Sequence, residues 1–137
     1  YHLPVWCCDL SAATLQRAVQ LAQREGAVVR TWQKDLEMGI DPLPEDFFGG
    51  ILVFRYLHRP LMANIRTALR EGGILIYETY TRARERFGKP SNPNHLLEEG
   101  ELYGFFKDWC ILHYFEGLAD NPPRAIAQLV CRKPIAS

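Results

Sequence analysis

The order of apolar runs along this chain constrains its fold more than any single residue does. Leu3 to Cys8 is an apolar run closed by Asp9. Ser11 is then placed to cap a helix with Leu15, Ala18, Val19 and Ala22 on one face, and Gly26 stops it. Ala27 to Trp32 is a second strand-like run, rich in β-branched residues and again closed by an acid, Asp35. Strand, helix, strand predicts a βαβ unit.

The pattern continues beyond it. The stretch from Asp35 to Gly49 holds Pro42, Pro44 and several acids without an apolar period, which predicts an irregular crossover long enough to join parallel strands. Gly50 to Tyr56 is the strongest β-forming run, and its unbroken apolar character from Ile51 to Phe54 predicts a central strand covered on both faces. Pro60 suits a first helical turn, Leu61, Ile65, Ala68 and Leu69 recur at helical spacing, and Gly72 with Gly73 predicts the stop after Arg70. Ile74 to Tyr77 is the next strand. Residues 82–94, with four basic side chains and two prolines, predict a long loop or lid, followed by a helix from about His95 to Asp108. Cys110 to Phe115 and Ala125 to Cys131 are two further strands, and the link Asp120 to Pro123 predicts their antiparallel reversal. The whole is a doubly wound α/β sheet closing on a β-hairpin.

A chain of 137 residues with 47% hydrophobic content fits one domain, 1–137, with a single core. Sixteen basic and sixteen acidic side chains cancel, so no net field favours nucleic acid or an anionic membrane, and a small-molecule partner is expected. Cys7, Cys8, Cys110 and Cys131 form no C-x-x-C pair and are expected as buried, reduced thiols with no metal role in a cytoplasmic protein. No apolar run approaches the roughly 20 residues that span a bilayer.

In open α/β sheets ligands bind beyond the carboxyl ends of the strands. That rule selects Asp9 with Leu10, Asp35 with Leu36, Arg55 to Arg59, and Glu78 to Tyr80. A carboxylate after such a strand accepts from adjacent ribose hydroxyls, the task that fits Asp9. One strand further out an acid can meet an adenine amino group while Leu36 offers apolar surface, the task that fits Asp35. The competing reading makes Asp9 an aid to a helix N-terminus and Asp35 the opening of a turn. Tyr56 and His58 follow the central strand, and a histidine there suits removal of a proton from an acceptor, since imidazole titrates near neutrality. Glu78 is a candidate base in an aromatic setting with Tyr77 and Tyr80. Arg55 and Arg59 can bind a carboxylate bidentately or remain solvated. Asn92 and His95 stand beside the expected lid, with Asn94 as a cap, and Arg82, Arg84, Arg86 and Lys89 form a local basic patch.

The segments VWCCDLS, KDL, ILVFRYLHRP and LREGGILIYETY, in that order, resemble class I methyltransferases, near the tellurite-resistance branch. The resemblance implies a seven-stranded Rossmann-like sheet and S-adenosylmethionine as methyl donor. It implies Asp9 and Asp35 as ribose and adenine contacts. From their places at strand ends, Leu10, Leu36 and Arg55 are expected beside the cofactor, and Arg55, Tyr56, His58, Glu78 and Tyr80 at the acceptor. The family's glycine-rich motif would lie roughly 20 residues before the ribose acid, but only eight residues precede Asp9 here. The first strand and helix of the fold are therefore expected to be missing, to be supplied by an upstream segment or a partner chain, and the fragment alone is expected not to bind cofactor. A non-catalytic binding or assembly module and an NAD-dependent oxidoreductase are the competing functions. No catalytic residue is assigned beyond the candidates Tyr56, His58 and Glu78.

Overall fold

The computed structural model describes residues 3–87 and 92–136, with the backbone alone for 85–87. The chain divides into two compact units that meet in sequence between Pro42 and Leu43.

In the first unit β1 (Trp6–Asp9) pairs in parallel with β2 (Arg30–Gln33), in register from Trp6 opposite Arg30 to Asp9 opposite Gln33. Between them runs α1 (Ala12–Arg24). The extended Ser11 accepts from the Thr14 amide at 3.2 Å, as its position predicted. The helix closes with Ala27 N–H on the Ala22 carbonyl and Gly26 N–H on that of Gln23, a pairing that requires the left-handed Gly26, φ +71°. Both strands start later than their apolar runs suggested. Pro4 has no N–H for a ladder, and Ala27 is spent on closing the helix. Among the predicted helix face, Leu15 and Ala22 are buried. Arg30 lies over the exposed Trp6 at 5.5 Å and Lys34 over the half-buried Trp32 at 5.0 Å, so basic side chains cover the strand aromatics.

The second unit is a four-stranded sheet in the order β3-β4-β6-β5, comprising β3 (Phe48–Phe54), β4 (Leu69–Tyr80), β5 (Cys110–Ala119) and β6 (Arg124–Arg132). β3 and β4 run parallel, and β6 pairs antiparallel with both β4 and β5. The β3 to β4 connection carries a 3₁₀ turn, Arg59–Leu61, with Pro60 where its missing N–H costs nothing, and then α2 (Met62–Ala68). α3 (Glu101–Phe106) precedes β5. One sheet face carries Leu75, Tyr77, Leu129 and Cys131, and with Ile65 and Ala68 of α2 and Leu102 and Phe106 of α3 these form a core closed to water.

Several expectations are corrected. β3 is an edge strand of its sheet among the described residues, and Leu52 and Phe54 are 64% and 55% exposed. An unbroken apolar run shows only that both faces of a strand are apolar; the neighbours that cover them are set elsewhere in the chain. Helix α2 ends at Ala68, not Arg70, because Leu69 is already extended and opens β4. Gly72 and Gly73 instead make a bulge: four residues of β4 stand opposite one of β3, between the Phe48–Leu69 and Gly50–Ile74 pairs. A Cβ on Gly73 would meet the Arg70 carbonyl at 2.8 Å, so only glycine fits there. The helix expected over 95–108 is confined to Glu101–Phe106, since Gly100 is left-handed (φ +72°) and heads the helix instead of lying within it. Asn92, not Asn94, caps the short 3₁₀ turn Pro93–His95 by accepting from the Asn94 amide. The expected lid holds a 3₁₀ segment, Arg82–Phe87; Lys89 lies outside the described residues. Of the cysteines only Cys131 is buried, its thiol pushed up to about 11 mainly by desolvation. Cys110 is exposed because β5 is the other edge strand, and Cys7 and Cys8 are half-buried in a two-stranded sheet.

Among the described residues no helix is long and apolar enough to cross a membrane, and no three His, Cys, Asp or Glu side chains gather as a metal cluster.

Candidate functional site

In the first unit the parallel pairing puts Asp9 at the carboxyl end of β1 and Asp35 just past the carboxyl end of β2, at the same edge of the two-stranded sheet. Each aspartate spends one oxygen on its own loop: Asp9 Oδ1 accepts from the Ser11 amide at 2.8 Å and Asp35 Oδ1 from the Glu37 amide at 2.9 Å. These are the turn and helix-entry roles weighed against ligand binding. The local bonds also fix both carboxyl groups, and the second oxygen of each makes no hydrogen bond among the described residues. Gln33 Nε2 donates to the Leu10 carbonyl at 3.1 Å, tying the two loops together, and the Leu10 side chain stays exposed while Leu36 is half-buried. Two half-buried carboxylates, each with a spare oxygen beside a leucine, supply the acceptors that ribose hydroxyls and an adenine amino group require. The residues therefore fit the nucleoside part of the cofactor that the sequence implies.

In the second unit the structure brings Arg55, Glu78 and Tyr80 together. The Arg55 amide donates to the Glu78 carbonyl at 2.8 Å, extending the ladder one residue past β3. Its guanidinium lies 5.9 Å from the Tyr80 ring centre, and Arg84 lies over the same ring at 4.2 Å. Arg55 holds a left-handed backbone, φ +55°, without being glycine, a strain that collects at ligand edges. Tyr56 is drawn elsewhere: its carbonyl accepts from the Tyr77 hydroxyl at 2.6 Å, on the core face opposite Glu78, and burial raises the Tyr77 phenol. His58 stands at the entry to the 3₁₀ turn, without a side-chain cap bond. Tyr56 and His58 are thus placed after β3 as expected, but no described hydrogen bond joins either side chain to Glu78.

Arg59 has a definite internal role. Its Nε and Nη2 donate to the two oxygens of Glu101 at 2.6 and 2.8 Å, and the same guanidinium reaches the carbonyls of Leu96 at 2.8 Å and Asn94 at 3.3 Å. The bidentate bond from Arg59 holds the Glu101 carboxyl below its usual range, outweighing partial burial. Arg59 thus binds a carboxylate bidentately, but one supplied by the chain's own Glu101. His95 is exposed in the turn that Arg59 steadies.

Two residues without any sequence signal complete the second constellation. Gln128 of β6 sits directly opposite Glu78 and donates to its Oε1 at 2.6 Å; His113 of β5 lies 3.2 Å from the Gln128 oxygen. Nothing in the local sequence marks either, because only the β4-β6-β5 pairing, over 50 residues of separation between Glu78 and Gln128, makes them neighbours. Two surface grooves lie elsewhere, one along Arg17, Gln20, Gln23 and Arg24, the other between Glu45 and Lys133. Both are open and lined by charged or polar groups without apolar anchors, which argues for solvated surface.

No family model matches the sequence, and no curated protein does. Solved structures do match. TehB from Haemophilus influenzae superposes with a TM-score of 0.74 at 18% identity, over 95% of this chain and 50% of TehB. The N-methyltransferase NodS from Bradyrhizobium japonicum gives 0.72 at 16% identity, over 96% of this chain and 74% of NodS. The [4+2]-cyclase SpnF gives 0.70 at 14% identity, over 98% of this chain and 67% of SpnF. Further matches are described as SAM-dependent methyltransferases. The chain thus spans half the length of TehB, and the inclusion of a cyclase shows that this fold serves more than one chemistry. What the comparisons establish is the fold: this chain has the Rossmann-like α/β architecture of structures that include SAM-dependent methyltransferases.

Proposed function

We propose that the protein transfers a methyl group from S-adenosylmethionine to a small acceptor. The observation that carries this reading is the pair Asp9 and Asp35, held at one edge of paired parallel strands with a spare oxygen each. Asp9 and Leu10 would take the ribose and Asp35 and Leu36 the adenine, while Arg55, Glu78 and Tyr80 face the acceptor. The cofactor would supply an electrophilic methyl group; the chain's own residues bind, orient and accept a proton. We assign the protein to the cytoplasm and, within the fold, to the tellurite-resistance branch, on the segments quoted above. We also propose that an upstream segment or a partner chain adds a strand, since β3 ends its sheet with a row of backbone groups able to pair.

The second reading is a methyltransferase-like fold used for binding or for other chemistry, favoured by the presence of a cyclase among the structural matches. An NAD-dependent oxidoreductase is the third. Equilibrium binding of labelled S-adenosylmethionine and of NAD to the full-length protein separates them. Saturable binding of the first alone supports methyl transfer, NAD binding supports the third, and binding of neither supports the second.

A further inference from the structure

The half-open face of the four-stranded sheet carries one continuous row of cross-strand neighbours. Phe54 stands opposite Glu78, Glu78 opposite Gln128, and Gln128 opposite Phe115, one residue from each strand. Paired residues point to the same face, so the row reads aromatic ring, carboxylate, amide, aromatic ring. The two rings are exposed by 55% and 39%. Leu52, two residues before Phe54, and the half-buried Ile76 and Val130 make the neighbouring row apolar.

The hydrogen bonds in the row have a direction. An ionised carboxylate only accepts, so the Gln128 nitrogen must face Glu78 Oε1, at 2.6 Å, and its oxygen must face His113 Nε2, at 3.2 Å. His113 must then carry its proton on Nε2. Glu78 Oε2 makes no hydrogen bond among the described residues; beside Gln128, the neighbours of Glu78 on this face are Phe54 across on β3 and Ile76 and Tyr80 along β4, with Arg55 and Arg84 over the Tyr80 ring.

We propose that this row is the acceptor platform of the methyl transfer proposed above, on which it rests, and that it takes an uncharged, largely apolar molecule presenting one O–H or N–H. Phe54 and Phe115 bear the apolar body, and Glu78 accepts the hydrogen bond. Gln128 is a positioning residue, its orientation held by His113. In the reaction the acceptor's lone pair forms the bond to the methyl carbon. The carbon–sulfur bond breaks with its electrons returning to sulfur, which loses its positive charge, and the acceptor's proton passes to Glu78, which loses its negative charge, so the charges balance. An anionic acceptor would meet the Glu78 carboxylate at the centre of this row and be repelled by it.

The test uses NMR of the full-length protein with labelled histidine, glutamate and phenylalanine, and phenol and benzoate as probes. Phenol should shift the resonances of Glu78, Phe54 and Phe115 saturably, and Glu78→Gln should weaken that response by about tenfold, as for a lost hydrogen bond to a charged group. Benzoate should not compete. Neutral His113 should be the Nε2–H tautomer, and Gln128→Ala should release it to a mixture; this second readout stands even if Glu78→Gln does not fold. Benzoate shifting these resonances as strongly as phenol, or a His113 tautomer indifferent to Gln128→Ala, would overturn the proposal. Binding of S-adenosylmethionine without any phenol response removes the platform and leaves methyl transfer standing. A phenol response without cofactor binding leaves the platform and removes methyl transfer.

Discussion

Residues 3–42 contribute Leu15 and Ala22 to the buried apolar set, whereas the second unit contributes side chains of β4, β6, α2 and α3, among them Leu75, Tyr77, Leu129, Ile65 and Phe106. In the first unit Val28, Met38 and Ile40 are largely exposed. A two-stranded sheet with one helix has few ways to exclude water, and isolated two-stranded sheets are marginal. A four-stranded sheet covered by helices on one face closes a core, and such units set the global stability. The acids proposed to hold the cofactor lie in the thinly packed unit and the acceptor row in the well-packed one. Ligand binding is therefore expected to order the first unit more than the second, as binding to a low-stability segment does.

The sharpest test of this contrast is a core truncation. Leu129→Ala, at a fully buried position of β6, should lower unfolding free energy by about 2–5 kcal/mol in urea titrations. If it costs less than 1 kcal/mol by the same measurement, on the order of a surface change, the second unit is not the stability centre.

Next comes the ligand contact. Asp9→Ala in the full-length protein should weaken S-adenosylmethionine binding by about 1.5–3 kcal/mol by calorimetry, as for a lost hydrogen bond to a charged group. Asp35→Ala should cost less, because water replaces part of a contact at the rim of a site. An equal loss at both positions would reverse the ranking, and no loss at Asp9 would confine that residue to its bond with the Ser11 amide.

The Arg59–Glu101 pair probes the second unit electrostatically. It is neither fully exposed nor fully buried, with side-chain exposures of 33% and 19%. Arg59→Lys, which cannot reproduce the fork, should therefore cost about 1–2 kcal/mol, between surface and buried pairs. Because Glu101 is held below its unfolded value, the stability it contributes is present above roughly pH 4.3 and fades as pH falls through its folded value. Wild type should lose stability in that acid window, and Arg59→Lys should lose less of it.

The smallest effect is expected back in the first unit. Val28, 86% exposed, should tolerate serine with a change of no more than about 0.5 kcal/mol in the same urea titration. A loss of several times that size would mean that a surface in the full-length protein covers Val28.

Much of the fold is legible in the sequence because its signals are local. Ser11 capping α1, Gly26 closing it and Pro60 opening the turn before α2 depend on neighbours within a few residues, and all three hold. The acids ending the first two apolar runs are likewise a local pattern, and the parallel pairing sets them at one edge. Chain segments that compete for the same residues were not legible. The REGG turn reads as a helix stop, yet it becomes a β-bulge because Gly73 packs against the Arg70 carbonyl and bonds to Lys133. Gly100 reads as a flaw inside a helix and becomes its head.

By itself the sequence determined the succession of strands and helices, the capping of α1 by Ser11 and Gly26, and the acids at the ends of the first two strands, since backbone preference and apolar periodicity act over one or two turns. Only the tertiary structure decided that β3 is an edge, that Arg59 is spent on Glu101, and that Glu78 meets Gln128 and His113. The reason is that a hydrogen bond between strands far apart in sequence depends on which strands pair and in what register, and a slip of one residue would turn Gln128 to the other face.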